Sequence, residues 1–166
     1  IIVSGTLGDH HACILSRRME IDNDIESDCG CLSDITEILF REGISVRTMR
    51  DVTRGGLGTI LNEIADTSGC KIEIQEENIP IDDEVRGFAD ILGLDPLYMG
   101  NEGKMIIIVS AEDDDRAVDL IRTTEHGEKA AMIGEEKSGS GTYVTTRLGA
   151  TRVLDVLYGD GLPRIC

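Results

Sequence analysis

Several short stretches of this chain bring together residues that could do chemistry. The chain ends in Leu162-Pro163-Arg164-Ile165-Cys166, a thiol beside the terminal carboxylate. Pro163 stiffens the approach and lacks a backbone donor, and Gly159 and Gly161 supply a hinge before it. These residues describe a flexible arm, residues 159–166, with a nucleophile at its tip. Alone, they describe a frayed terminus with an incidental cysteine more readily. A second stretch is Asp51-Val52-Thr53-Arg54-Gly55-Gly56-Leu57-Gly58. Here a strand ends, two glycines permit close backbone approach and a helix begins. That geometry offers N–H groups and the positive end of a helix dipole to an anion. Asp51 would stand at the strand end, where a metal or polar ligand could be held. The Gly-Lys-Ser/Thr signature of a phosphate loop is absent, and the same residues also fit a plain tight turn.

A third stretch is Tyr98-Met99-Gly100-Asn101-Glu102-Gly103-Lys104. Two glycines bracket Asn101 and Glu102 directly before the most apolar strand. A carboxylate at the mouth of a buried strand can serve as a general base, with Lys104 as its ion partner, and the same residues also fit a turn with a solvated Glu. In Gly8-Asp9-His10-His11, adjacent histidines face different sides of a helix, so they make no two-ligand metal face, for which i, i+4 spacing is needed. Asp9 reads as the helix N-cap and His10 as a site-lining catalytic candidate. The acidic run from Ile21 to Asp28 fails as a calcium loop, with Ser27 where glycine is needed and Ser33 where glutamate is needed. Cys29-Gly30-Cys31 could be redox-active or bind a soft metal, but it lacks partner ligands. No metal ligands are assigned.

The elements that must position these groups follow from periodicity. Ile1–Ser4 reads as a short buried strand, and a helix follows from Asp9 to about Glu20. Leu32, Ile35, Ile38 and Leu39 have helical spacing. A strand over Val46–Val52 leads into an amphipathic helix with Leu57, Ile60, Leu61, Ile64 and Ala65 on one face, closed by Gly69. Cys70–Ile74 alternates as a strand. Pro80 and Asp82 start a helix that turns Val85, Phe88, Ala89 and Leu92 inward. Lys104–Val109 is apolar enough to be a central strand buried on both faces. Ser110–Asp113 resembles a capping box for a helix through Ala117 to Ile121. Two strands, Ala130–Gly134 and Tyr143–Leu148, would join across Gly139-Ser140-Gly141, and a last helix would run from Thr151 to Tyr158. The expectation is one α+β domain over residues 1–158, a mixed sheet of about seven strands with helices mainly on one face.

Composition bounds the function. At 166 residues the chain supports a single core, and with 3% aromatic residues that core must be aliphatic. A formal net charge of −16 repels nucleic acid and anionic membranes. Any anion must be bound locally. Five scattered cysteines fit no disulfide framework and point to free thiols in a reducing, cytoplasmic setting. Cys13 and Cys70 lie in apolar patterns and read as core residues. The chain opens on Ile1 in a strand-like run, which reads as part of a longer polypeptide.

Together the pieces resemble one family. Gly5-Thr6-Leu7-Gly8-Asp9-His10, Ser27-Asp28-Cys29, Met49-Arg50-Asp51-Val52-Thr53-Arg54-Gly55-Gly56-Leu57, Ile91–Tyr98, Asn101-Glu102-Gly103-Lys104 and the Pro-Arg-Ile-Cys ending are similar to the HypE family of hydrogenase maturation proteins. That family falls within the aminoimidazole ribonucleotide (AIR) synthetase-like, or PurM-like, superfamily. Cys31 departs from it, because proline is expected there. The resemblance implies a PurM-like C-terminal domain and an ATP-dependent carbamoyl dehydratase acting on its own terminal cysteine. A HypF-like carbamoyltransferase would load Cys166. Dehydration would turn the carbamoyl group into a thiocyanate, and a HypC–HypD complex would receive the cyano group. Glu102 would be the base. Asp51, Arg54, Gly55 and Gly56 would line the phosphate side of the nucleotide cleft, with Asn101 and Lys104 as further ATP-binding candidates. Most ATP and Mg2+ ligands would lie on an N-terminal domain absent from this chain. The full-length protein would be a homodimer, and this part alone a monomer without turnover. The alternatives are another PurM-like ATP-dependent enzyme, of AIR synthetase or selenophosphate synthetase type, and a non-catalytic thiol carrier.

Overall fold

A computed structural model describes residues 1–157. Residues 158–166 lie outside the described residues, and with them the expected arm and Cys166. In chain order the regular elements are β1 (Ile2–Val3), α1 (Asp9–Arg18), α2 (Ser33–Arg41), β2 (Val46–Asp51), α3 (Gly56–Ser68), β3 (Lys71–Gln75), α4 (Asp83–Leu92), β4 (Met105–Val109), α5 (Asp114–Ile121), β5 (Ala131–Met132), β6 (Gly134–Lys137), β7 (Gly141–Thr145) and β8 (Thr151–Val153). Short 3-10 turns cover Glu76–Asn78 and Pro96–Tyr98.

The α+β class holds, but the strands divide between two sheets. The first is antiparallel throughout, in the order β2-β4-β1-β5. The second is mixed, in the order β6-β3-β7-β8, with β3 and β7 parallel. The apolar run at Met105–Val109 is interior as expected, and Ile106 and Ile107 are fully buried. Successive side chains on a strand point to opposite faces. Ile106 and Ile108 therefore join one core with Leu57, Leu61, Ile72 and Val144, while Ile107 joins another with Ile35, Leu39, Ala117 and Ile121. Helices α2 and α5 cover one face of the first sheet. Helix α3 and the second sheet cover the other. The helices thus lie on both faces, where the sequence suggests mainly one.

Three local expectations change. Ala130–Gly134 and Tyr143–Leu148 do not form a paired hairpin, because the first supplies β5 of the first sheet and the second supplies β7 of the other, where β3 separates β7 from β6. The expected helix from Thr151 is strand β8, which pairs with β7 in the register Tyr143↔Val153 and Thr145↔Thr151. Its turn is closed by Thr146 N–H donating to the Ala150 carbonyl and by Gly149 at φ 80°. Finally, the helix α1 cap is Gly8, at φ 90°, with Asp9 the first helical residue.

A third cluster seats α1 on α4 through Ala12, Cys13, Val85, Phe88, Ala89 and Met99. It holds the 5–11 segment against the chain that leads to Asn101. No helix among the described residues is long and apolar enough to cross a membrane.

Candidate functional site

Asn101 is the junction of the motif segments. Its side chain is 1% exposed. Oδ1 accepts from the Gly8 N–H at 2.8 Å, and Nδ2 donates to the carbonyls of Val52 and Met99 at 3.0 and 3.2 Å. Its own N–H donates to the Val52 carbonyl, whose N–H side is held by the Lys104 carbonyl. One buried amide thus ties the glycine turn at Gly8 and the end of β2 to the turn before β4. Burial without these partners would cost on the order of 1–3 kcal/mol per orphaned group. Asn101, a ligand-binding candidate by sequence, has both side-chain polar atoms engaged by backbone and stands in the frame of the site.

The glycine pair after β2 has a different meaning from the expected one. Gly55 caps α3 at φ 79° and Gly56 follows at φ 62°. A Cβ on Gly56 would stand 2.7 Å from the Leu97 carbonyl oxygen and 2.8 Å from that of Met99. The close approach at Gly56 is therefore made by the chain's own 97–99 backbone. Tyr98 then lies over Gly58, where a Cβ would meet its ring at 2.5 Å, and its hydroxyl donates to the Asp155 carbonyl at 2.6 Å. What remains open to a ligand is the outer side of the turn. The Arg54 and Asp51 side chains are exposed there, and Asp51 accepts from the Thr53 hydroxyl at 3.0 Å. The first-turn amides of α3 lack intrahelical acceptors, as at any helix start.

Glu102 stands exposed between buried neighbours. Its expected ion partner, Lys104, is turned away: the lysine is 9% exposed and pairs with Asp28, whose side chain is 2% exposed, at 3.4 Å. The Glu102 N–H donates to the other oxygen of the same carboxylate at 3.0 Å. In the sequence Asp28 stands out only as part of Ser27-Asp28-Cys29. Its position at the end of an aperiodic acidic loop gave no signal that this carboxylate, unlike those before it, turns inward. Gly103 permits the contact, since a Cβ there would fall 1.8 Å from the Asp28 carbonyl oxygen.

Two groups on α1 complete the surround. Asp9 is buried and accepts from the Thr6 hydroxyl at 2.5 Å. Burial raises its pKa against that hydrogen bond and the attraction of Lys104. His10 is half-buried, with Nδ1 2.8 Å from the Ser27 hydroxyl. His11 is 1% exposed. Its Nδ1 accepts from the Gly100 N–H at 3.3 Å, which puts the neutral ring's proton on Nε2. Burial, helped by the neighbouring His10, lowers its pKa from 6.5 to about 4. His11 is thus a neutral brace between α1 and the Asn101 turn.

The structure therefore brings together Gly8, His10, Asp28, Asn101, Glu102 and Lys104, and places the Asp51–Gly56 turn across Asn101 from them. Cys166 lies outside the described residues. Cys13, Cys29, Cys31 and Cys70 are free thiols. Among the described residues, no group of three or more His, Cys, Asp or Glu side chains is placed to hold a metal ion.

Residues 1–147, which hold every segment of this junction, match the family described as AIR synthase related protein, C-terminal domain. The chain is 41% identical over 170 residues to the carbamoyl dehydratase HypE of Rhodobacter capsulatus, a match over 99% of this chain and 50% of that protein. A solved structure of the hydrogenase maturation protein HypE in complex with ATP superposes with a TM-score of 0.94 at 39% identity, covering 99% of this chain and 52% of that one. A HypE–HypF complex gives a TM-score of 0.89 at 34% identity, over 94% and 52% of the two chains. The chain spans about half the length of the curated relatives it matches, 50% of the Rhodobacter and of the Escherichia coli proteins. On this evidence of sequence and geometry the chain belongs to the AIR synthase related family, as its C-terminal domain, and its likeness within that family is to HypE.

Proposed function

We propose that this chain is the half of a carbamoyl dehydratase that supplies the proton-accepting carboxylate and carries the substrate thiol. The observation that carries the reading is the junction at Asn101. It sets the exposed Glu102 carboxylate on a braced turn beside the Asp51–Gly56 turn. The relatives' activity, a carbamoyl dehydratase that binds ATP and complexes with HypF, fits that junction.

The residues fit a nucleotide's phosphate edge: Arg54 offers an exposed guanidinium and Gly55 and Gly56 begin a helix. Asp51 sits beside them, and Mg2+ and the remaining nucleotide contacts are assigned to the other half of the full-length protein. Bound ATP would supply the phosphoryl group that makes the carbamoyl oxygen a leaving group. Cys166 is the thiol that holds the carbamoyl group, bonded through its sulfur. Glu102 takes one proton from the carbamoyl nitrogen as the oxygen is phosphorylated, gives it up to solvent, and takes the second as the carbon–oxygen bond breaks, so that inorganic phosphate leaves and a thiocyanate remains on Cys166. His10, held on Ser27, lines the approach. Asn101 and Lys104 serve from behind, as frame. The partners of the full-length protein are then a HypF-like carbamoyltransferase, a HypC–HypD complex that takes the cyano group, and a second copy of itself. The free thiols suit a reducing cytoplasm.

The test uses the full-length protein with the carbamoyltransferase, carbamoyl phosphate and ATP, and takes the mass of the C-terminal peptide. Gain of a carbamoyl group followed by loss of water is expected. An unmodified Cys166 sinks the reading, and carbamoylation that never dehydrates favours a carrier. Glu102→Gln should leave loading intact and slow dehydration by about 100-fold or more. Dehydration at the full rate would remove Glu102 from the role.

A further inference from the structure

The loop between α1 and α2 is acidic and solvated, with Glu20, Asp22, Asp24 and Glu26 all exposed. Asp28 is the exception. Its carboxylate is 2% exposed, and each oxygen faces a different neighbour on the turn before β4. Oδ1 accepts the Glu102 N–H at 3.0 Å. Oδ2 has no hydrogen-bond partner and is offset by the Lys104 ammonium at 3.4 Å as an ion pair. The loop backbone lies flat against the same turn. The Asp28 carbonyl oxygen and the Gly30 nitrogen come within 1.8 and 3.0 Å of where a Gly103 Cβ would be. Burying a carboxylate this far is costly unless it is paired and bonded. Both of its partners belong to the residues flanking or carrying Glu102.

We propose that Asp28 is the positioning residue for Glu102: its carboxylate fixes the peptide that carries Glu102 and offsets the Lys104 charge two residues on. The inference rests on the reading of Glu102 as the base. A hydrogen bond from a backbone N–H to a carboxylate is stronger than one to a neutral acceptor, so it locks the turn rather than merely decorating it. Without Asp28 the buried Lys104 ammonium would lose its ion-pair partner, and its field would act unopposed on the carboxylate two residues away. The other titratable groups around the pair are few. Asp9 faces Lys104 from the start of α1, His10 is bonded to Ser27, and His126 packs on Gly30. Beyond Asp9 lies the Asp82–Lys129 ion pair.

The experiment follows single-turnover dehydration of the carbamoylated full-length protein across pH, reading the mass of the C-terminal peptide. Asp28→Asn keeps an acceptor for the Glu102 N–H but removes the charge. It should slow dehydration by about tenfold at neutral pH and move the acid limb of the rate profile to lower pH. Lys104→Met in the same protein should bring the limb back. Asp28→Glu keeps the charge but displaces the acceptor, so the rate should fall by about tenfold with the limb unmoved. Loading by the carbamoyltransferase should be the same in every variant. A lower melting temperature with a wild-type limb and rate in Asp28→Asn, or an undiminished rate in Asp28→Glu, would make Asp28 a structural ion pair and overturn the inference. Those outcomes leave the dehydratase reading standing, because the wild type still dehydrates. A wild type that loads but never dehydrates removes the reading, and the positioning role falls with it.

Discussion

At the scale of single residues, burial and its consequences for protonation are the sharpest features. His11 stays neutral inside the fold down to about pH 4, while the unfolded chain protonates it near 6.5. Between those values the unfolded state binds the extra proton, so stability is full above 6.5 and is lost as pH falls toward 4. The loss is about 3 kcal/mol. Asp9 works with the opposite sign, because burial raises its pKa and protonation relieves the folded state. The comparison must therefore be made between wild type and variant. Asn in place of His11 can still accept from the Gly100 N–H but does not titrate. Urea unfolding should show the gap between wild type and His11→Asn narrowing by about 3 kcal/mol as pH drops from 7 to 4, and a constant gap would contradict the neutral brace. The thiols differ in the same way. Cys31 is exposed and its pKa is lowered by hydrogen bonds from Ser33, whereas burial and Glu136 push Cys70 up. Since the thiolate is the reactive form, iodoacetamide should label Cys31 well before Cys70 in a timed peptide map. Equal rates would mean that the Ser33 contact does not hold in solution.

At the scale of elements, the glycines of α3 separate two reasons for choosing glycine. Gly56 and Gly69 bracket the same helix at φ 62° and 63°. A Cβ on Gly69 would meet nothing within 4 Å, whereas one on Gly56 would run into the backbone at Leu97, Tyr98 and Met99. Gly69→Ala should then cost only the left-handed penalty, about 1 kcal/mol. Gly56→Ala must also push the 97–99 segment away and should cost roughly 3 kcal/mol or more, measurable as a shift in the urea midpoint. Equal costs would show that the segment yields freely. The same pair explains what the sequence could and could not reveal. A Gly-Gly at a strand-to-helix turn announces close approach, but the residue types do not say whether a ligand or the chain itself approaches. The helices of α3 and α4 were legible because their apolar residues keep a 3.6 period. Strand β8 was not, because Thr151-Arg152-Val153 is short and its identity comes from pairing with β7. Asp28 escaped for a related reason: its meaning lies in a contact 74 residues away in sequence with Glu102.

At the scale of the molecule, β4 is the shared wall of two cores. Its apolar run marked it as central, yet a continuous apolar run carries no period and so does not say how many layers it divides. The run therefore leaves open both a second sheet and the placement of α2 and α5 on the far face. The consequence is cooperative. Ile106 lies fully buried in the core with α3 and the second sheet, and Ile107 fully buried in the core with α2 and α5. Truncating either leaves a cavity and should cost about 2–5 kcal/mol. Because the strands of one sheet supply both faces, Ile2 and Val3 of β1 as well as Ile107 and Ile106 of β4, the α2–α5 layer shares its wall with the α3 core. Ile107→Ala should therefore weaken amide protection in α3 as well as in α2 and α5, and Ile106→Ala should do the same in reverse, with both variants unfolding in one urea transition. Hydrogen exchange followed by mass spectrometry of peptides from the three helices reads this directly. If Ile107→Ala opened α2 and α5 while α3 kept its full protection, the two layers would be separate units, and the Asn101 junction would rest on the α3 core alone.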